Sequence, residues 1–355
     1  MSDDIAFLEK LLDASGPSGF EVRPARVWRE EAATFAEEVR VDVGGNSYAT
    51  INPAGRPRVM LAGHIDEIGL QITHMDEKGF VFVDEIGGWD PQVLVGQRVT
   101  ILGRDGDVPG VIGKKAIHLM TPEDRAKASK TKELWVDVGV SSLDEARALG
   151  LRVGDPMVIS QTLLRLAGDR IASRAIDDRI GAYVVLEVAR LLAGDPGHAS
   201  VTAVATVQEE IGYSGGGART SAHSLEPDVA LVVDVTFSTD VPDIEKKELG
   251  DHRIGGGPVL SRGSAAHDGV FEMLAKVADE EDIPYTIQAS PKYTRTDADA
   301  IFLTRSGVPT GLVSVPNRYM HSPNEVVSIA DLRHTARLLA AFVRRLTPET
   351  DFTPR

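Results

Sequence analysis

The sequence predicts an α/β fold, with a mixed, mostly parallel sheet flanked by helices and a small all-β domain inserted into it. Two uninterrupted apolar runs, VTAVATVQ (201–208) and VALVVDV (229–235), are typical of strands covered on both faces. A long helical pattern, DDRIGAYVVLEVARLLAG (177–194), precedes them. Between residues 70 and 165, short alternating segments are separated by Gly, Asp and Pro turns, which favours a small β-barrel or sandwich.

The N-terminal region predicts two helices and three strands. One face of the first helix carries Ile5, Leu8, Leu11 and Leu12, and the second helix is expected to begin at Pro24. VRVDVGGNSYATI (39–51) predicts two strands joined by a Gly-Gly-Asn turn, and a buried strand over 59–62 ends in Gly63 and His64.

The helix–strand alternation resumes after residue 165. A helix over 267–279, a strand over 308–316 and a closing helix over 328–346 follow the apolar runs, and Ser328 and Asp331 stand in capping-box spacing. We therefore expect a main domain built from residues 1–69 and 166–355, interrupted by an inserted β domain over 70–165.

Composition limits the classes of function. The 355 residues carry a formal charge of −15, which argues against nucleic-acid and anionic-membrane partners. There are no cysteines, so a metal site must use His, Asp and Glu. The acidic, amphipathic N-terminus lacks the features of a signal peptide, and no apolar run is long enough to span a membrane. A cytoplasmic location is the expectation.

Polar residues that can bind metals recur where apolar strands end. They are His64 and Asp66, Asp177 and Asp178, Glu209 and Glu210, Asp234, and His321. Ligands of open α/β sheets bind outside the carboxyl ends of the strands, so these side chains can converge on one crevice. Two His with several carboxylates suit Zn²⁺, Co²⁺ or Mn²⁺.

Each of these residues also has a simpler explanation when it is taken alone. An Asp after a strand often forms a turn or caps a helix, as Asp177 or Asp178 could. Glu209 and Glu210 could occupy the acidic first turn of a helix. The joint pattern is harder to explain in that way.

Five segments together resemble the M42 family of metallo-aminopeptidases, which includes the tetrahedral (TET), deblocking and glutamyl aminopeptidases. They are AGHIDEIG, AIDDRIG, TVQEEIGYSGG, VVDVTFSTD and TRTDADAIFLTRSGVPTGLVSVPNRYMHSPNE. GGWDPQVLVGQRV and GVIGKKAIHLM resemble the inserted PDZ-like or barrel-like dimerisation domain of that family.

The resemblance implies a site with two divalent metal ions, Zn²⁺ or Co²⁺ with Mn²⁺ as an alternative. His64 and Asp234 would bind one ion, Glu210 and His321 the other, and Asp177 would bridge them. Glu209 would act as the general base. The second catalytic assignment, Asp66, would orient the ring of His64 through a hydrogen bond.

Two further segments are expected near the site, one of them, TRTDADA, from the resemblance. Arg318 and Tyr319, just before His321 in the sequence, are expected to brace its loop, with contact between Arg318 and substrate as the alternative. Thr296, Asp297 and Asp299 are expected to support the ligands instead of binding metal themselves.

Three competing functions remain open from the sequence. GYSGG (212–216) fits the G-x-S-x-G pattern of serine hydrolases, although Ser214 lies beyond the predicted strand end. A glycoside hydrolase needs only two carboxylates, which would leave the two His without a role. A non-catalytic scaffold would use the cations structurally, but structural sites are usually closed by their ligands.

Partners and assembly follow from the resemblance. The substrates would be short peptides, and the chain would form dimers that build a tetrahedral dodecamer. The preferred N-terminal residue of the substrate has no signal in the sequence.

Overall fold

The structure, a computed structural model, describes residues 5–212 and 215–354. Within these ranges it has seventeen strands and eleven α-helices. The strands are β1 Glu38–Val41, β2 Ser47–Ile51, β3 Arg58–His64, β4 Gly69–Met75, β5 Val81–Ile86, β6 Arg98–Gly103, β7 Gly106–Gly113, β8 Trp135–Asp137, β9 Pro156–Ile159, β10 Leu164–Arg165, β11 Arg170–Ser173, β12 Ser200–Thr206, β13 Val229–Phe237, β14 Val259–Arg262, β15 Thr286–Ala289, β16 Thr310–Asn317 and β17 Glu325–Ser328. The helices are α1 Ala6–Asp13, α2 Val22–Ala32, α3 Pro91–Leu94, α4 Pro122–Arg125, α5 Leu143–Ala148, α6 Ile176–Leu192, α7 Gly216–Leu225, α8 Lys246–Leu249, α9 Asp268–Glu280, α10 Asp297–Ile301 and α11 Ile329–Arg344.

The central element is an eight-stranded sheet in the order β1-β2-β12-β3-β13-β16-β14-β15. The four middle strands, β12, β3, β13 and β16, are parallel to one another. Antiparallel pairs join this parallel core to β2 on one side and to β14 on the other. The predicted mixed, mostly parallel sheet is confirmed, and the carboxyl ends of its middle strands lie at one edge.

Helices cover both faces of this sheet, which explains the uninterrupted apolar runs. On β3, Val59 and Leu61 pack into the core formed with α1, α2, α6, α9 and α11. Met60 and Ala62 point to the other face and pack into the core formed with α7 and α10. Because successive strand residues face opposite sides, a strand covered on both faces is apolar along most of its length and lacks the alternation of a half-buried strand.

The inserted region forms a closed six-stranded barrel in the order β4-β5-β8-β7-β6-β9. Every pair of neighbouring strands in it is antiparallel. A separate apolar core, which includes Leu70, Val99, Ile101, Val136 and Met157, fills the barrel. The predicted small β domain is thus a barrel, with strands that run from Gly69 to Ile159.

The starts of α2 and α11 each differ from the prediction in one detail. Helix α2 begins at Val22, so Pro24 lies in its first turn, where a missing backbone N–H costs no hydrogen bond. At α11, Ser328 caps the helix by accepting from the N–H of Ala330, as predicted. Asp331 does not complete a capping box, because its buried carboxylate accepts from the N–H groups of Gly255 and Gly257.

A helix that crosses a bilayer needs about 20 predominantly apolar residues. In the part of the chain that the structure describes, no helix is both long and apolar enough to cross a membrane.

Candidate metal centre

The carboxyl edge of the parallel strands brings the predicted ligands together. His64 is the last residue of β3, and Asp234 lies near the end of β13. Glu209 and Glu210 follow β12, and His321 follows β16. Four neighbouring strands therefore deliver these side chains to one edge, as expected for a parallel sheet.

Asp177 reaches the same edge from the start of α6, which packs closely against β3. A Cβ added at Gly63 would lie 2.4 Å from the backbone carbon of Gly181, so only glycine allows this approach. Asp177 and Asp178 have non-helical backbone angles within the first turn of α6. The peptide bond between them is cis. The close packing places Asp177 beside His64.

Two clusters of possible ligands share Asp177. In each cluster, one ligand atom from every residue lies within 4.8 Å of the others; the clusters are His64, Asp177 and Asp234, and Asp177, Glu210 and His321. His64 Nε2 lies 3.1 Å from Asp177 Oδ1. His321 Nε2 lies 3.4 Å from Asp177 Oδ2 and 3.3 Å from Glu210 Oε2. The two oxygens of Asp177 thus face different histidines, an arrangement suited to a bridging ligand.

The second ring nitrogen of His321 is held by the barrel. Nδ1 lies 2.7 Å from the carbonyl oxygen of Gly88, in the loop after β5, and donates a hydrogen bond to it. This bond places the proton on Nδ1, which leaves Nε2 able to bind a cation.

Asp66 supports the site differently from the prediction. Its Oδ1 lies 3.4 Å from His64 Nδ1, which is a close contact but too long for a good hydrogen bond. Its two oxygens instead accept from the backbone N–H groups of Glu209 and Glu210, at 3.2 and 3.1 Å. Asp66 therefore fixes the backbone of the Glu-Glu pair while it lies next to His64.

Sequence reasoning missed Glu325, which fixes two of the ligand residues. Its buried carboxylate accepts from the N–H of Asp177 at 3.0 Å and from the N–H of His321 at 2.9 Å. Burial and the charge of Asp177 raise its pKa well above the usual range. The sequence did contain a signal, because Glu325 begins the apolar segment EVVS. This segment forms β17, which is buried throughout, so its carboxylate must find partners within the protein.

Two more buried carboxylates stand behind the clusters. Asp178 accepts from the N–H groups of His64 and Gly181, so it ties α6 to the end of β3. Asp297 accepts from the hydroxyl of Thr206, and burial raises its pKa to about 6. Asp297 thus lies against the end of β12, whereas Asp299 binds the backbone of Thr294 and Arg295.

Arg318, whose role the sequence left open, pairs with Asp240. Its Nη2 lies 2.6 Å from Asp240 Oδ2, and its Nε lies 3.1 Å from Oδ1. Both oxygens of one carboxylate therefore engage one edge of the guanidinium, which supports a bracing role.

The site holds several buried carboxylates close together, and their negative charges would be stabilised by a bound cation. Burial raises the pKa of Asp234 well above its usual range, and the charge of Asp177 raises it further. Burial also lowers the pKa of His64 and His321, but contacts with Asp177 and other carboxylates outweigh it and raise both values, that of His321 to about 11. The carboxylates thus hold protons or attract them to the histidines.

The residues present fit divalent cations. Two imidazoles and three carboxylates form the donor set that Zn²⁺, Co²⁺ or Mn²⁺ accepts. Among the described residues, Glu210 Oε1 is buried without a hydrogen-bond partner, although a buried carboxylate oxygen normally has one. A cation at this place would relieve both the repulsion among the carboxylates and the unpaired oxygen.

Glu209 belongs to neither cluster. Its Oε2 lies 3.9 Å from His64 Nε2, and its backbone N–H is held by Asp66. Burial raises its pKa well above the usual range, and His64 opposes this shift while Asp234, Asp297 and Glu210 add to it. Together with His64, Asp234 and His321, Glu209 lines an open cleft of about 1310 Å³, so it can meet a ligand that enters.

The model of the family described as M42 glutamyl aminopeptidase matches residues 45–338, which is most of the chain. The chain belongs to the M42 family. The resemblance that the sequence motifs carry is thereby confirmed.

M42 relatives cover almost the whole chain. The lysyl aminopeptidase of Pyrococcus furiosus is 35% identical over 357 residues, which is 99% of each chain. A TET aminopeptidase from a marine-sediment archaeon of the Thaumarchaeota is 34% identical with a TM-score of 0.91, over 96% of each chain. The TET1 peptidase of Pyrococcus horikoshii is 29% identical with a TM-score of 0.85, over 96% of this chain and 99% of its own. M42 membership and these matches indicate a peptide hydrolase of the aminopeptidase type.

M42 membership also bears on the competing functions. The family model and the relatives just described are peptidases, so the glycoside hydrolase alternative gains no support from them. The family and the His, Asp and Glu clusters together indicate divalent metals in the site. The serine-hydrolase alternative rests on Ser214, which lies outside the described residues.

Proposed function

We propose that this chain removes N-terminal residues from short peptides with two divalent cations and Glu209 as the general base. The observation that carries the proposal is the pair of clusters that share Asp177, next to a carboxylate that belongs to neither. One ion would be held by His64 and Asp234 and the other by Glu210 and His321, with Asp177 between them. Zn²⁺ and Co²⁺ suit this donor set best, and Mn²⁺ is the alternative.

The chemistry divides between the cations and the protein. When bound, two divalent cations supply the positive charge that activates a water molecule and polarises the peptide carbonyl. Glu209 takes the proton from the attacking water and delivers it to the nitrogen of the leaving peptide. Asp66 holds the backbone N–H of Glu209, so the carboxylate stays aimed into the cleft. Burial raises the pKa of Glu209, and two bound cations would lower it again, so the carboxylate would be ionised and able to take the proton.

We also propose that the chain is divided into two domains. Residues 1–69 and 166–355 would form the catalytic domain, because every proposed ligand lies in them. Residues 70–165 would form a separate domain for assembly. Its barrel has a core of its own, which supports this division.

The direct test is the release of a free amino acid from a peptide with a free N-terminus. We expect release after addition of Zn²⁺, Co²⁺ or Mn²⁺ to protein freed of metal by a chelator, and none before it. A serine-directed reagent should leave the rate unchanged. The same peptide with an acetylated N-terminus is the matched control, and it should not be cleaved.

Other results would favour a different function. If a broad panel of peptides yields no amino acid with any of the three metals, the result would favour a non-catalytic scaffold that binds the cations structurally. Release of sugar from an oligosaccharide at a comparable rate would favour the glycoside hydrolase. Inactivation by the serine reagent without loss of metal would favour a nucleophile of the serine type.

We propose further that the chain forms a homo-oligomer through the barrel. The segment between β7 and β8 of the barrel exposes two large apolar side chains two residues apart, Ile117 at 59% and Leu119 at 70%, which a second copy would cover. The related TET1 peptidase of Pyrococcus horikoshii can assemble into a tetrahedron or a large octahedral shell. A tetrahedral dodecamer built from dimers would enclose the sites and restrict substrates to short, unfolded peptides.

Light scattering after size exclusion tests the assembly. The wild type should have the mass of twelve chains, and the double variant Ile117→Lys, Leu119→Lys should have a smaller mass because charge replaces the covered apolar surface. Val43→Lys, at an exposed position in the turn between β1 and β2, is the control and should keep the full mass. A wild-type monomer, or a double variant of unchanged mass, would contradict assembly through these residues.

A further inference from the structure

Four consecutive backbone amides after β12 donate to buried side chains, where the strand no longer pairs with its neighbours. The amides are those of residues 207 to 210, and three side chains accept from them: Asn46 at 3.2 Å, Glu21 at 3.1 Å, and Asp66 at 3.2 and 3.1 Å. This segment carries Glu209 and Glu210, so side chains from elsewhere in the chain determine where both carboxylates point.

Glu21 makes the contact that directly precedes Glu209. It lies at the start of α2, is only 6% exposed, and accepts from the N–H of Gln208 through Oε1. The same oxygen accepts from the N–H of Gly19 at 2.7 Å, so the turn before α2 fixes its place. An acceptor from the N-terminal part of the chain thus reaches the segment after β12.

Gln208 has a backbone conformation that needs such support. Its φ is +60°, in the left-handed region that residues other than glycine seldom adopt. Conformations of this kind persist where the surroundings hold them, and they cluster at functional sites. The backbone of Gln208 sets the direction in which the next residue, Glu209, leaves the chain.

We infer that Glu21 is a positioning residue for the general base, acting through the backbone N–H of Gln208 to hold Glu209 in its productive direction. The inference rests on the proposed role of Glu209 as the base. A misplacement of a catalytic group by about 1 Å can cost roughly 10²-fold in rate. Loss of a contact one residue away from Glu209 should therefore lower the rate measurably.

The contact depends on reach and not on charge. One oxygen of Glu21 makes both hydrogen bonds, and a glutamine offers an oxygen at the same place. Aspartate keeps the charge but is one methylene shorter, so it cannot reach Gln208 from the same backbone. Burial and the nearby charge of Asp66 raise the pKa of Glu21 to about 7, so part of the population is already uncharged at neutral pH.

The test compares Glu21→Asp with Glu21→Gln in the metal-loaded enzyme. We expect Glu21→Asp to lower kcat by about 10-fold or more while KM stays within about twofold, because orientation and not substrate binding is lost. Glu21→Gln should keep kcat within about twofold of the wild type. Metal content should be unchanged in both variants. Deuterium uptake by residues 207–212 should rise in Glu21→Asp alone.

Asp331→Asn is the matched control for a general loss of stability. Asp331 is also a buried carboxylate that accepts from two backbone N–H groups, at 2.7 and 2.8 Å, but these belong to Gly255 and Gly257, outside the site. Its kcat should stay within about twofold of the wild type, even if its melting temperature falls as far as that of Glu21→Asp.

Several results would overturn the inference. They are equal losses of kcat in Glu21→Asp and Glu21→Gln, wild-type kcat in Glu21→Asp, or a loss that parallels loss of metal. Glu209→Gln is assayed in the same series. If Glu209→Gln is inactive and Glu21→Asp is fully active, only the role of Glu21 is wrong. If Glu209→Gln is fully active, the proposed base itself is wrong.

Discussion

Replacement of Glu209 by glutamine will abolish most turnover and leave the metal site loaded. We expect kcat to fall by roughly 10²- to 10⁴-fold, the usual contribution of a general base. Glutamine has the same size but cannot accept the proton of the attacking water. Glu209 belongs to neither ligand cluster, so the metal content, measured by mass spectrometry of the dialysed protein, should equal that of the wild type.

The neighbouring residue provides the contrast for this prediction. Glu210 lies 3.3 Å from His321 Nε2 and belongs to a ligand cluster, so Glu210→Gln should lose metal along with activity. Glu226→Gln is the control on the surface, where Glu226 pairs with Arg305 at 2.6 Å, and it should match the wild type. Near-normal turnover by Glu209→Gln, or loss of its metal, would show that the two adjacent glutamates have been assigned the wrong roles.

Replacement of Asp177 by alanine will remove metal from both clusters at once. Asp177 is the residue that the two clusters share, and its two oxygens face His64 and His321. Loss of a residue behind a ligand typically costs 10- to 100-fold in metal affinity or activity, so loss of a shared ligand should cost more than about 10²-fold. Calorimetric titration of the metal-free protein should detect less than one tight site, compared with two in the wild type.

Asp169→Asn is the control for this prediction. The side chain of Asp169, just before β11, accepts from the N–H of Ala330 in the first turn of α11. Asp169 belongs to neither cluster. It should bind metal as the wild type does. Retention of one tight site in Asp177→Ala would mean that the second ion does not depend on a bridging carboxylate.

The residues at the strand ends could be predicted because local sequence determines them. An apolar run that reaches His64 or Asp234 is at or near the end of a buried strand, and parallel strands end at a common edge. The doubly covered sheet could be predicted for the same reason, since burial on both faces removes the alternation of polar and apolar residues. These features depend on neighbours in the chain.

The supporting contacts could not be predicted, because they depend on the tertiary arrangement. Glu325 and Glu21 hold ligand and base segments by accepting from backbone N–H groups, and the residue types do not show which N–H a buried carboxylate will meet. Asp66 lies next to His64, but its hydrogen bonds to the Glu-Glu pair depend on how β12 and β3 end in space. Asp331 had the spacing of a helix cap, yet a distant loop supplies its partners.

The hydrogen bond from His321 to the carbonyl oxygen of Gly88 limits how freely the barrel can be exchanged. The strands of the barrel have their own core and closed hydrogen bonding, so the barrel resembles a module that could be grafted between relatives. Yet its loop after β5 also supplies a contact that orients a residue of the metal cluster. A chimera must therefore preserve the backbone path of residues 87–89, and deletion of the barrel would remove part of the metal site's own framework.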